Sequence, residues 1–352
     1  MNVRRRRRRL FRLARTVVVA ILLVVAIIVV RGGGGHHTAA SRATPTTLGQ
    51  APEVSVAPTT TPPPTGFTIA HLPAVLPQAV SRSAVVARGG ALLVLGGLHG
   101  PSPGSSTTQV LTVDATTGAA QIDAPLALAT HDAAVTEVGG VTLVFAGGES
   151  TTVSAVQAWG TAGGRVVGHL PQPRSDIVAA AVDGHAYVLG GFDGVNPTPE
   201  VLETDDGITY HVAATLPVPV RYPAVAVVGS TIYLIGGQSV TGRSGDGPPV
   251  NDVQAVDLST GSAQVVSRLP GALTEAEAFV VRGAIFVAGG VRGGIVQRGV
   301  FRLDPASGAL TLVASLPEPR ADAGVAQIGE TTYLVGGEGP SRLSSVVALQ
   351  PA

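Results

Sequence analysis

The chain has 352 residues, no Cys and a formal net charge of zero. With no Cys it can hold neither a disulfide framework nor thiol chemistry. The zero balance hides a division: from Gly66 onward 13 Arg face 22 Asp and Glu, about −9 in all, which argues against nucleic acid as a partner.

The N-terminus is the basic part. Arg4 to Arg9 run without a break, Arg12 and Arg15 follow, and Thr16–Val30 is uncharged and rich in Val, Ile, Leu and Ala. Residues 1–15 are therefore expected to be a basic cytoplasmic segment and 16–31 a single transmembrane helix that acts as a retained signal anchor. The positive charge before the span places the N-terminus in the cytoplasm and the rest of the chain outside. A cleavable signal peptide and a twin-arginine signal are the competing readings. Residues 32–65 are rich in Gly, Thr and Pro, and carry too few large apolar groups to fold alone. They are expected to be a disordered linker.

From residue 66 the chain repeats. Gly doublets fall at Gly96-Gly97, Gly147-Gly148, Gly190-Gly191, Gly236-Gly237, Gly289-Gly290 and Gly336-Gly337, at intervals of 51, 43, 46, 53 and 47 residues. A period near fifty that ends in such a doublet marks a radial repeat. Leu-Pro precedes the doublet by 20 residues at Leu76, Leu170, Leu216, Leu269 and Leu316, whereas the second unit reads Ala127-Leu128 there. Between the two marks lie two β-rich runs joined by a Gly-containing turn, as in Ala224–Val228 and Thr231–Ile235. That is a hairpin signal. A third strand follows each doublet, for example Val253–Val256, and ends in an Asp-opened, Gly-closed turn such as Asp257–Gly261. A fourth strand leads to the next Leu-Pro. Four strands per unit predict β-propeller blades, and six units predict six of them over residues 66–352. The last unit lacks a fourth strand, so Phe67–Leu72 is expected to supply it by pairing with Ser345–Leu349, closing the ring.

The doublets, the aromatics three positions before them (Tyr187, Tyr233, Phe286 and Tyr333) and the Leu-Pro-x-Pro-Arg segments Leu170–Arg174 and Leu316–Arg320 resemble those of Kelch-repeat proteins. The resemblance covers roughly residues 66–352. It implies an all-β, six-bladed Kelch-type propeller, which the single transmembrane helix read from the N-terminus would precede. It also implies that arginines in the register of Arg174 and Arg320 rim the channel mouth and meet an acidic ligand. His131 shares that register 16 residues before the first Gly, and Arg221 lies one position later. These four are the expected ligand-binding residues. An opposing reading has the arginines bonded to loop carbonyls or neighbouring carboxylates.

Chemistry is less legible. A galactose-oxidase-like Kelch propeller needs a Cys for its cofactor, which this chain lacks. The eight His show no metal-ligand spacing, so neither cofactor nor metal is expected. The function expected is a membrane-tethered, extracytoplasmic binding module that takes a protein or cell-envelope glycan through the face bearing the long loops after the doublets. The alternative is a carbohydrate isomerase of the sialic-acid-mutarotase-like Kelch type. Convergent Arg, Glu and His in the channel would favour that alternative.

Overall fold

Each repeat needs two sharp reversals that only a positive φ allows, and glycine supplies most of them. The hairpin turns Gly89-Gly90, Gly139-Gly140, Asp183-Gly184 and Arg282-Gly283 have positive φ at both residues, the signature of two-residue turns matched to strand twist. In a computed structural model, which describes residues 61–100, 104–239 and 247–352, the repeats fold as antiparallel meanders. The expected cytoplasmic segment, membrane anchor and all of the linker before residue 61 lie outside the described residues. Pro58–Ala352 forms a single compact unit. No helix among the described residues is long and apolar enough to cross a membrane.

Among the described residues the architecture is all-β, as expected of the repeats. The first sheet orders Ala84–Arg88, Ala91–Leu95, Val110–Asp114 and Ala120–Ile122, and four later repeats give the same in-order meander. The sheet containing Gly324–Ile328, Thr331–Val335 and Val346–Pro351 takes its outer strand from the other end of the chain, Phe67–His71. Phe67 pairs with Pro351 and His71 with Val347, so the register runs two residues nearer the C-terminus than expected. Phe67 also meets Phe279 and Phe286 edge-on, at 5.6 and 4.9 Å between ring centroids. A small three-stranded patch, Val80–Ser81, Leu98–His99 and Ser105–Ser106, lies on the loop side of the first sheet.

Successive sheets are locked by the second residue of each doublet. The N–H groups of Gly97, Gly147, Gly191, Gly237, Gly290 and Gly337 donate to the carbonyls of Thr130, Arg174, Val220, Leu273, Arg320 and Val80, at 2.7–2.9 Å. The first residue approaches the same strand closely: a Cβ at Gly289 would stand 2.1 Å from the Arg320 carbonyl oxygen. Hence the doublet. The bonding shifts the second repeat by one position from the sequence reading. There the pair is Ala146-Gly147, with Ala146 forced to a φ of 51°. The buried residue matching the Leu of Leu-Pro is accordingly Leu126, in line with Leu76, Leu170, Leu216, Leu269 and Leu316. Apolar clusters fill the spaces between adjacent sheets.

Candidate functional site

Fourteen residues before the first member of each structural doublet stand Arg82, Asp132, Asp176, Tyr222, Glu275 and Asp322. All six have φ between 49° and 59°. Non-glycine residues seldom adopt that region, and six at one register mean the fold imposes it. The reason is a closed ring of backbone hydrogen bonds. Asp132 N–H donates to Arg82 C=O, Asp176 to Asp132, Tyr222 to Asp176, Glu275 to Tyr222, Asp322 to Glu275 and Arg82 to Asp322, at 2.9–3.2 Å. The ring gathers four carboxylates, a phenol and a guanidinium at the mouth where the doublet loops emerge.

Their side chains form one network. Arg82 Nη1 donates to Tyr222 Oη at 3.0 Å and to Asp132 Oδ2 at 3.2 Å, and Nη2 lies 3.2 Å from Asp322 Oδ2. Glu338 stands 3.6 Å from Arg82 Nε and accepts from Ser81 Oγ at 2.9 Å. Tyr222 Oη donates in turn to Asp132 Oδ2 at 3.3 Å. Asp176 bonds to Asp132. Burial opposes the charge on Arg82, but Asp132, Asp322, Tyr222 and Glu338 together hold its pKa above the usual arginine range. Burial pushes Asp132, Glu275 and Asp322 above the ordinary carboxylate range, against the pull of Arg82. Burial and the charge of Asp132 push Asp176 up to about 7. A polar cleft of about 540 Å³ opens beside this network, lined by Arg82, Ser105, Ser106, His131, Glu149 and Glu338 among others.

The four residues expected from sequence separate into two pairs. His131 and Arg221 share a register immediately before the ring residues and reach the mouth. The one-residue shift of the second repeat explains why His131 belongs with Arg221 and not with Arg174. Arg221 Nε and Nη2 donate to Gln238 Oε1 at 3.2 Å, Nη1 donates to Asp176 at 3.4 Å, and the guanidinium lies over Phe192 and Tyr222. His131 Nδ1 is 2.8 Å from Ser106 Oγ. Burial and then Arg82 lower its pKa, so the ring is neutral near pH 7.

Arg174 and Arg320 stand elsewhere, at 1% and 2% exposure. Arg174 donates to the Glu200 carbonyl at 2.8 Å and to the Glu200 carboxylate at 3.1 Å. Arg320 donates to the carbonyls of Gly336 and Ser345, to Ser345 Oγ and to Glu318. Their Nη donors bond to the ends of their own sheets, whereas the buried Nε of each has no hydrogen-bond partner among the described residues. The ring residues were missed because only their backbone repeats. The signal available was a polar or aromatic residue at one constant distance from every doublet. A separate group, His185, Glu203 and Asp205, brings ligand atoms within 4.8 Å of one another, because pairing of Ala186 with Thr204 sets His185 beside Asp205. These three could hold a metal ion.

No known family profile matches the chain. It is 30% identical over 174 residues to mouse Kelch-like protein 35, a match spanning 49% of this chain and 29% of that protein. The solved structure titled "Structure of YjhT" superposes with a TM-score of 0.66 over 79% of this chain and 99% of that one, at 15% identity. Fold and repeat pattern make the chain a Kelch-repeat β-propeller.

Proposed function

We propose that the chain is a six-bladed Kelch propeller, held outside the cytoplasm by an N-terminal membrane anchor over residues 16–31 and a linker over 32–65, and that it binds a cell-envelope glycan at the channel mouth. The observation that carries this reading is the asymmetric polar network of Arg82, Asp132, Asp176, Tyr222 and Asp322 beside an open cleft. The backbone ring of six supports the blade count. Both arginines at the mouth already face carboxylates, so the site offers balanced donors and acceptors. That suits a neutral polyhydroxylated ligand better than an acidic one. The test is a glycan array with the full chain, alongside Arg82→Ala and Tyr222→Phe variants. Binding that survives in both variants would sink the reading. Protease added to intact spheroplasts should remove the propeller; protection would sink the topology.

A second reading is favoured by the same mouth. Asp176, near neutrality, shares a hydrogen bond with Asp132, and a neutral His131 stands beside them. Such groups can pass protons to and from a sugar ring oxygen and its anomeric hydroxyl, which is the chemistry of a carbohydrate isomerase or mutarotase. Interconversion of sugar anomers, followed by NMR with and without the chain, separates this reading from binding alone.

A further inference from the structure

Ser106 ends the short strand Ser105–Ser106, whose pairing with Leu98–His99 carries it to the lip of the 540 Å³ cleft. From the neighbouring repeat His131 meets it, Nδ1 to Oγ at 2.8 Å. The other ring nitrogen, Nε2, lies 3.6 Å from Oδ2 of Asp132, whose side chain is 6% exposed. One imidazole thus stands between a half-buried hydroxyl and a buried carboxylate, with one nitrogen toward each. The arrangement is recognised by geometry and roles, whatever the fold or the order of residues in the chain. We propose that Ser106, His131 and Asp132 form a nucleophile, base and positioning residue that hydrolyse an ester bound in this cleft.

Three features of the surroundings fit those roles. Burial and Arg82 lower the pKa of His131, which favours the neutral imidazole; with its proton on Nε2, toward Asp132, Nδ1 would accept the Ser106 proton. Arg82, Asp176 and Glu149 are the other charged groups acting on the ring. Arg82 and Tyr222 donate to Asp132, which favours its carboxylate form against the burial that raises its pKa. Arg82 also lines the cleft, a cation that would favour negative charge developing on a carbonyl oxygen bound there.

The step balances without a co-reactant beyond water. Ser106 Oγ adds to the ester carbonyl carbon as its proton passes to His131 Nδ1. The bond to the alcohol oxygen breaks, and that oxygen takes the proton from His131. Water then gives a proton to His131 and its oxygen to the acyl carbon, and Ser106 leaves with the proton. Ester and water become carboxylic acid and alcohol. The reaction rests on the geometry alone. That the ester is one carried by a glycan rests on the binding reading above.

The test treats the full chain with a fluorophosphonate and maps the product by intact mass and peptide mass spectrometry. One adduct is expected, on Ser106, absent in Ser106→Ala. In His131→Gln it should form at least about 100-fold more slowly, the low end of general-base effects. The labelling rate should rise with pH through one ionisation that His131→Gln abolishes. Asp132→Asn should move that inflection to lower pH, a change that a purely structural Asp132 would not produce. No adduct, an adduct on another serine, or unchanged labelling in His131→Gln overturns the proposal. Glycan binding by Ser106→Ala is read separately. If labelling succeeds while the wild-type chain binds no glycan, the binding reading fails alone and the esterase stands.

Discussion

Arg320→Ala distinguishes a structural clamp from a ligand contact. The guanidinium is 2% exposed and ties the end of the inner hairpin to the third strand of its sheet. Nη1 donates to the Gly336 carbonyl at 2.5 Å and the Ser345 carbonyl at 3.3 Å, and Nη2 to Ser345 Oγ at 2.6 Å and to Glu318. Truncation leaves acceptors in a space that water enters poorly, at about 1–3 kcal/mol for each buried group left without a partner. Breaking a buried ion pair from one side costs about 3–5 kcal/mol. The Glu318 side chain is 24% exposed and can rehydrate, which favours the lower end. We expect a loss of about 3 kcal/mol, or about 6–12 °C in Tm at about 2–4 °C per kcal/mol. The assay is a calorimetric or circular-dichroism melt of the full chain, with glycan binding measured on the same preparation below the transition. A Tm within about 2 °C of wild type, well under the expected shift, together with lost binding would refute the reasoning and return Arg320 to the ligand.

Two further changes probe the backbone and the ring. Asp176 is pushed up to about 7 in the folded chain, so it contributes stability that is full below the ordinary carboxylate pKa and is lost as pH rises through about 7. Tm should therefore fall between about pH 4 and pH 7, and Asp176→Asn should flatten that fall; a slope unchanged in the variant contradicts the assignment. Ala146 occupies the first doublet position with a φ of 51°, where the other repeats have Gly. Ala146→Gly should raise stability by about 0.5–1 kcal/mol, the left-handed strain removed less the added chain entropy, and a denaturant midpoint that drops would show the strain is absent.

What the sequence disclosed, it disclosed through backbone demands. A positive φ and a close approach to the next sheet leave glycine as the fitting residue, so the doublets stand out by type. Leu76, Leu170, Leu216, Leu269 and Leu316 are buried, which is why Leu-Pro kept its spacing. The second repeat misled because Gly147-Gly148 looks like a doublet, while the bonding pair is Ala146-Gly147. That slip put His131 in the register of Arg174 and hid its kinship with Arg221. Arg174 and Arg320 were ambiguous for a different reason. The carbonyls that hold them, such as those of Glu200 and Ser345, lie 26 and 25 residues further along the chain, and no local pattern announces the contact.

The ring itself argues for a function at the mouth. Its hydrogen bonds run from backbone to backbone, so they place no demand on side-chain type, and Arg, Asp, Tyr and Glu all satisfy them. Small neutral residues would close it as well. Instead it concentrates Asp132, Asp176, Glu275 and Asp322 where burial raises every one of their pKa values. Such carboxylates weaken a fold unless they are paired, and pairing with Arg82 and Arg221 offsets only part of the cost. A scaffold that needs only the backbone at these positions, yet carries costly titratable groups there, has the arrangement expected of a binding or catalytic surface. The charges are also unevenly spread: Arg82, Glu149 and Glu338 border the cleft, while Glu275 is not among the residues that line it. A ligand seated there would meet one sector of the ring, so its contacts would come from the parts of the repeats that differ and its support from the parts that are alike.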